Sequence, residues 1–263
     1  MTNHLMLHTD EVTLGYGERT IISNLSTTIP PGKITSIIGA NGCGKSTLLR
    51  SLPRLLPPLS GDIFLDDKPL AEYPRKQFAT LLGLLPQNPV APDGIVVSDL
   101  VGRGRHPYQG MFGRWTQRDY EVVAQALENT NTAELSDRAV DELSGGQRQR
   151  VWIAMALAQE TNILLLDEPT TFLDIANQLE VLDVLVDLNQ EHSTTIAMVL
   201  HDMNLAARYS DHLIAMRAGQ IVASGSPAEV ITKENMSEVF GISCEISPDP
   251  ITGTPLVVPR GRH

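Results

Sequence analysis

The sequence predicts an α/β fold: a mostly parallel sheet as its core, a small antiparallel sheet near the N-terminus and a helical insertion in the middle. Three observations predict it. Residues 34–38, 81–85, 163–166 and 194–200 are short, largely apolar runs, the composition of strands buried on both faces. Segments with helical spacing or helix boundary signals lie between them. Each run leads at once into a glycine or polar feature, at Gly39, Gln87, Asp167 and His201. Open α/β sheets bind ligands outside the carboxyl ends of their strands, so all four features are expected on one edge, around one ligand.

Taken in order, Val12-Thr13-Leu14 running into Gly15-Tyr16-Gly17 reads as a strand and turn. Residues 21–29, closed by Pro30-Pro31-Gly32, read as a second strand. Residues 63–65, between Ser60-Gly61-Asp62 and Asp66-Asp67, read as a third. These short pieces make the antiparallel sheet. The strand at 34–38 then opens into Gly39-Ala40-Asn41-Gly42-Cys43-Gly44-Lys45-Ser46-Thr47, which fits G-x-x-x-x-G-K-[ST], the phosphate-binding P-loop. Residues 48–52 continue as a helix that Pro53 stops. The chemistry needs these residue types. Glycines let backbone N–H groups wrap phosphate oxygens without a Cβ in the way, and the helix N-terminus adds partial positive charge. Lys45 is placed to reach the β- and γ-phosphates, and Ser46 to offer its hydroxyl to Mg²⁺. A chance glycine turn would match the pattern in roughly one chain in a hundred of this length, and the flanking strand and helix argue further against it. The loop alone says nucleoside triphosphate, since kinases, GTPases and transport ATPases share it. Tyr16 then has two readings, a ring stacked on the nucleobase or one packed at a sheet edge.

Pro86 and Pro89 bracket Gln87 and mark a strand end followed by a loop. From there the character becomes helical, with helices expected at 98–102 and 117–127. Residues 102–118 hold Arg103, Arg105, His106, Arg114 and Arg118, interleaved with Tyr108, Phe112 and Trp115. A solvated basic loop and a partner-docking surface both fit this stretch. Leu143-Ser144-Gly145-Gly146-Gln147 opens a helix expected over 148–159. Ser144 and Gln147 fit a capping box. The two glycines are not explained by capping, because each weakens a helix by about 1 kcal/mol relative to Ala. Close approach of a second anion would explain them. The strand at 163–166 ends in Asp167-Glu168-Pro169, two adjacent carboxylates at a buried strand's end. They read either as turn acids or, beside a P-loop, as a Mg²⁺ holder (Asp167) and the group that orients and deprotonates water (Glu168). Asp174 reads as an N-cap, followed by Ile175, Leu179, Leu182, Leu185 and Leu188 at helical spacing. His201 follows the last apolar strand directly, and structural and functional roles fit it equally. A hairpin is expected over 211–216 and 220–223, small helices at 226–227 and 233–240, and a loosely packed Pro/Gly-rich tail from 247 to 263.

Composition bounds the function. The 263 residues carry a net charge of −11, with an estimated pI of about 5.0. This argues against sequence-independent nucleic-acid binding. One of the two cysteines, Cys43, sits inside the P-loop, so a disulfide framework is not expected and a reducing compartment is. Residues 1–8 lack a basic n-region and a long apolar run, so no signal peptide is expected. No window approaches about 18 apolar residues, so no membrane span is expected.

With these residues assembled, the chain resembles an ATP-binding cassette (ABC) ATPase over nearly its whole length. Leu143 to Gln147 matches the family's signature motif, placed before the Walker B strand that ends at Asp167, as the family has it. The resemblance implies a P-loop NTPase, RecA-like core, with residues 1–87 as antiparallel subdomain and P-loop, 88–160 as helical subdomain, 161–240 as the rest of the core and 241–263 as tail. It implies Tyr16 as the adenine-stacking aromatic, Gln87 as the Q-loop glutamine, Thr171-Phe172-Leu173-Asp174 as the D-loop and His201 as the switch histidine. The D-loop departs from the family's common Ser-Ala-Leu-Asp but keeps Asp174. ATP and Mg²⁺ are the implied cofactors, with Ser46 and Gln87 ligating the metal, Asp167 behind them, and Glu168, His201 and Lys45 as catalytic groups. The second anion site becomes one shared with another copy of the chain: Ser144, Gly145, Gly146 and Gln147 would face an ATP held by the other copy's P-loop, head to tail.

Several stretches are similar, more narrowly, to ATPases of iron-siderophore importers of the ferric enterobactin type. They are 102–108 through Arg114-Trp115, Trp152-Ile153-Ala154-Met155, Leu200-His201-Asp202-Met203-Asn204 and Gly253-Thr254-Pro255-Leu256-Val257-Val258-Pro259. The likeness implies a peripheral protein on the cytoplasmic side of the bacterial inner membrane, docked on integral permease subunits, served indirectly by a substrate-binding protein, with no nucleic-acid partner. Import of another iron chelate, of haem or of cobalamin is a second reading, and a soluble ATP-dependent regulatory module is a third.

Overall fold

A computed structural model describes residues 5–110 and 114–261. The contacts divide the chain into two compact units, one made of Met1–Tyr73 with Ser193–His263 and the other of Pro74–His192.

In the first unit, Ile34–Gly39 is a fully buried strand, hydrogen-bonded in parallel to Thr195–Val199 on one side and to His212–Arg217 on the other. Its neighbour Thr195–Val199 is equally buried. Both are runs of β-branched and aliphatic residues, as parallel strands require when no face reaches water. Gln220–Gly225 adds an antiparallel strand beside His212–Arg217, turning through Ala218-Gly219. The helix Lys45–Ser51 packs its buried Leu48 and Leu49 inward. Each fully buried leucine contributes about 1.5–3 kcal/mol. A separate antiparallel sheet places Leu7–Tyr16 between Arg19–Ile29 and Ser60–Leu65, with Lys68–Pro69 at its edge.

In the second unit, two parallel strands, Leu82–Leu85 and Ile163–Asp167, pair in register from Leu82↔Ile163 to Leu85↔Leu166. The helices are Arg75–Leu81, Val97–Gly102, Gln117–Asn129, Gly145–Ala158 and Ile175–His192.

The structure departs from the sequence expectation in several places, among them a helix over Met203–Tyr209 that was not anticipated. The signature helix begins at Gly145, not at residue 148, because the Ser144 cap sets its start. A helix over Arg75–Leu81 was not anticipated. It presents only Phe78 as a buried residue, too little for periodicity to show. Ile175 is 76% exposed and contributes nothing to the core. The stretch 103–108 is not a solvated loop but a 3₁₀ helix whose Arg105 is 3% exposed. Its guanidinium donates to Asp119 Oδ1 at 2.9 Å, to Glu160 Oε2 at 2.8 Å and to Ala158 O at 2.9 Å, and lies 4.0 Å over the Tyr108 ring. Phe112 of the same stretch lies outside the described residues. The tail does not fray over its described length, since Cys244–Pro248 and Pro255–Pro259 form an antiparallel hairpin. Pro248, Pro255 and Pro259 stand at strand ends and Pro250 in the turn, where a missing N–H is tolerated.

Candidate functional site

The P-loop is built by backbone conformations that only glycine adopts readily. Gly39, Gly42 and Gly44 take φ of 151°, 76° and 111°. Gly39 is also sterically required, because a Cβ there would lie 2.3 Å from Met216 O. The Ala218-Gly219 turn between His212–Arg217 and Gln220–Gly225 clamps the loop, with Gly219 N donating to Cys43 O at 2.8 Å. From the other side a Cβ on Gly44 would press on Ile22 at 3.2 Å. Sequence reasoning missed Ile22, Met216 and Gly219 as supports, since each is distant in the chain. Their only local signal is the Ala218-Gly219 turn. Within the loop, Ala40, Asn41 and Gly42 are exposed, Cys43, Gly44, Lys45 and Thr47 are buried, and Ser46 is half-buried. Lys45 is 5% exposed, and its ammonium donates to Gly39 O at 2.8 Å and Ala40 O at 3.1 Å. A buried cation at the mouth of a glycine loop whose helix carries no side-chain cap fits an anionic ligand.

His201 belongs to the same unit. Ile37 and Val199 are direct partners in the parallel ladder. Gly39 and His201 each stand two residues further on, so the phosphate loop and the histidine leave adjacent strands at the same level. His201 is exposed, and Asp202 behind it caps the helix Met203–Tyr209 through Asn204 N at 2.8 Å and Leu205 N at 2.9 Å. Tyr16 ends its strand with half its surface exposed, available for stacking.

The second unit repeats the same geometric device. Leu85 and Leu166 are ladder partners, and Gln87 and Glu168 again stand two residues beyond them. The level placement brings their side chains together: Gln87 Nε2 donates to Glu168 Oε2 at 2.6 Å. The same oxygen accepts from Thr171 Oγ1 at 3.0 Å. Glu168 has φ 57°, a region that a residue with a Cβ adopts only when its surroundings enforce it. Asp167, the last residue of the strand, is 1% exposed.

The signature turn lies in this unit as well. Ser144 and Gln147 form the reciprocal capping box: Gln147 N donates to Ser144 Oγ at 3.3 Å and Ser144 N to Gln147 Oε1 at 3.1 Å. The two glycines separate here. A Cβ on Gly146 would lie 2.5 Å from Asn177 Oδ1, so this glycine is explained by packing within the chain. A Cβ on Gly145 would meet nothing within 4 Å. No contact in the described chain requires glycine at 145. Asn177 joins the signature helix to the D-loop, accepting from Arg150 Nη1 at 2.7 Å and donating to Asp174 Oδ1 at 2.7 Å. Asp174 also accepts from Asn177 N at 2.9 Å, and the hydrogen bonds from Asn177 hold its carboxyl below the usual range. Between Thr171 and Asp174, Phe172 is 91% exposed at φ 65°.

A family model described as ABC transporter matches residues 22–171. The chain is 53% identical over 256 residues to the ferric enterobactin transport ATP-binding protein FepC of Escherichia coli, covering 97% of this chain and 94% of that one. It is 52% identical, with the same coverage, to the petrobactin import ATP-binding protein FpuD of Bacillus anthracis. A solved structure described as an inward-facing conformation of a metal-chelate type ABC transporter matches at a TM-score of 0.84 and 30% identity over 98% of both chains. A bacterial ABC transporter cassette solved as a dimer matches at a TM-score of 0.74 and 26% identity, over 84% of this chain and 98% of that one.

Proposed function

Because the chain belongs to the ABC transporter family, whose ATP-binding subunits are ATPases, we propose that it energises import of a ferric siderophore from the cytoplasmic face of a membrane permease. The observation that carries the coupling of ATP hydrolysis to the helical segment is the 2.6 Å bond from Gln87 to Glu168. The residue at the entrance of the helical insertion holds the residue that activates water, so movement of one moves the other.

Catalysis follows from the residue chemistry. Lys45 and the P-loop amides bind the phosphates of ATP and offset charge as it shifts towards the leaving oxygen. Glu168 accepts a proton from the attacking water, whose oxygen bonds to the γ-phosphorus as the bond to the ADP oxygen breaks. His201, level with the P-loop, orients the γ-phosphate and the water. Ser46, Gln87 and Asp167 are oxygen donors of the kind Mg²⁺ prefers. Gln87 uses its amide nitrogen on Glu168, which leaves its carbonyl oxygen for the metal. Mg²⁺ held by these donors would supply neutralisation of developing phosphate charge. Tyr16 stacks on adenine.

The ATP-bound form is a head-to-tail dimer in which Ser144, Gly145, Gly146 and Gln147 close over the nucleotide of the other copy, with the D-loop and its Asp174 beside them. The related cassette solved as a dimer supports this. So does Gly145, whose missing side chain no contact in the described chain explains. Gly145→Ala is therefore expected to leave unfolding stability unchanged or raised by up to about 1 kcal/mol. Steady-state ATP turnover should fall at least about tenfold. Equal turnover in parallel urea and phosphate-release measurements would remove the shared site.

Helical segment 88–160 docks the permease, with Gln87 as its hinge. Among the described residues no helix is long and apolar enough to cross a membrane, which suits a peripheral subunit. The cargo reading rests on relatives whose names state enterobactin and petrobactin at almost equal identity. It is tested by deleting the gene and measuring uptake of radiolabelled iron presented on a catecholate siderophore, a hydroxamate siderophore and haem, and of cobalamin. Loss of siderophore uptake, restored by the wild-type chain and not by Glu168→Gln, is expected. Unchanged uptake of every siderophore would overturn the cargo, and loss confined to haem or cobalamin would reassign it.

A further inference from the structure

Two of the stretches that carry the narrower resemblance, 200–204 and 253–259, have no role in the chemistry above beyond His201. The structure joins them. Asn204 Oδ1 accepts from Val257 N at 2.7 Å, and Asn204 Nδ2 donates to Val257 O at 3.3 Å. One side-chain amide thus pairs both polar groups of a strand residue, as a neighbouring strand would. Val257 is the middle residue of Pro255–Pro259 and is 3% exposed. Its backbone pair points to Asn204 and away from the hairpin ladder.

The hairpin is itself anchored. Glu245 on its first strand pairs with Lys233 Nζ at 2.5 Å and with Arg260, which ties it to the helix Lys233–Phe240. Its connecting turn is closed by Asp249 Oδ1, which accepts from Ile251 N at 2.8 Å and Thr252 N at 3.0 Å. At the other end, the Asn204 backbone N–H is held by Asp202 Oδ1 at 2.8 Å. A continuous set of polar contacts therefore runs from the hairpin, through Asn204, to Asp202, the residue after His201.

We propose that Asn204 is a positioning residue for the reaction. The C-terminal hairpin, gripped through Asn204, fixes the turn that carries His201 level with the P-loop. Loss of positioning acts on rate more than on binding. The inference rests on the role of His201 proposed above.

The test uses the full chain, comparing Asn204→Ala, His201→Ala and the double variant in ATP turnover, with ATP affinity by calorimetry and unfolding by urea. Asn204→Ala should lower kcat about tenfold with KM for ATP within about twofold of wild type. The double variant should be no slower than His201→Ala alone, the non-additivity of two residues acting as one unit. Val257→Pro removes the donated N–H without removing a ladder bond, and should repeat the kcat loss even if Asn204→Ala folds poorly. Unchanged kcat in both Asn204→Ala and Val257→Pro, or effects that multiply with His201→Ala, would overturn the positioning role and leave His201 in place. Unchanged turnover in His201→Ala would overturn the role of His201 and this inference with it.

Discussion

Glu168→Gln is expected to lower kcat for ATP by about 10²–10⁴-fold, the usual contribution of a general base, with little change in fold or in ATP affinity. The geometry makes the substitution mild in every respect but one. Gln87 Nε2 and Thr171 Oγ1 both donate to the same carboxylate oxygen, at 2.6 Å and 3.0 Å. An amide oxygen in that place still accepts both bonds. What the amide lacks is the capacity to take a proton from water. Phosphate release should therefore nearly stop while ATP still binds, and the ATP-bound dimer, no longer dissolved by hydrolysis, should accumulate. Single-turnover phosphate release and light scattering with and without ATP measure the two halves. Turnover at the wild-type rate would remove Glu168 as the base. Lost turnover without ATP-dependent dimers would keep the base and remove the dimer.

Arg105→Met should destabilise the chain by about 3–5 kcal/mol, the cost of leaving a buried charge without its partner. Arg105 carries three hydrogen bonds from a site 3% exposed. It joins the cap of helix Gln117–Asn129, where Asp119 bonds Thr116, to the end of helix Gly145–Ala158. Burial alone would raise the Asp119 carboxyl, but bonds from Thr116 and Arg105 outweigh it and hold the group at about 2, below its ordinary 3.8. A depressed folded-state value means the contribution is present above about pH 4 and is lost as pH falls towards 2. Urea unfolding at neutral pH reads the first effect. An acid titration of stability, flattened in Asp119→Asn, reads the second. Arg105→Lys should rescue little, because an ammonium cannot reproduce the planar fork that reaches Asp119, Glu160 and Ala158 together. A loss below about 1 kcal/mol in Arg105→Met would show that the cluster is replaceable.

Both predictions concern residues that differ in how legible they were. The placement of Glu168 was readable because its signal is local, an acid pair ending an apolar strand. The same holds for the P-loop and for the cap at Ser144. Arg105 was not readable, because its partners lie 14 and 55 positions away and, from sequence, a run of arginines resembles a solvated face. The tail looked irregular for a related reason. Its prolines break the pattern of a central strand, but here they end the strands of an isolated hairpin whose outward groups find a side chain 53 positions distant. Gly145 and Gly146 looked equivalent in sequence. Only the position of Asn177 separates the glycine whose Cβ would meet a side chain from the one whose Cβ would meet nothing within 4 Å. Periodicity and capping report what a residue does with its neighbours in sequence, and these cases are settled by neighbours in space.

The matched heights of Gly39 with His201, and of Gln87 with Glu168, bear on how such a chain tolerates change. Strand residues rise by about 3.3 Å each and alternate faces. Deleting one residue inside Thr195–Val199 would lift His201 out of reach of the P-loop and invert the side chains between. Lengthening the surface turn before that strand alters only loop entropy, by a few tenths of a kcal/mol. The alignment of these groups is thus stored in main-chain pairing, which is indifferent to side-chain identity, and changes in length are expected to be tolerated only at the opposite ends of the strands.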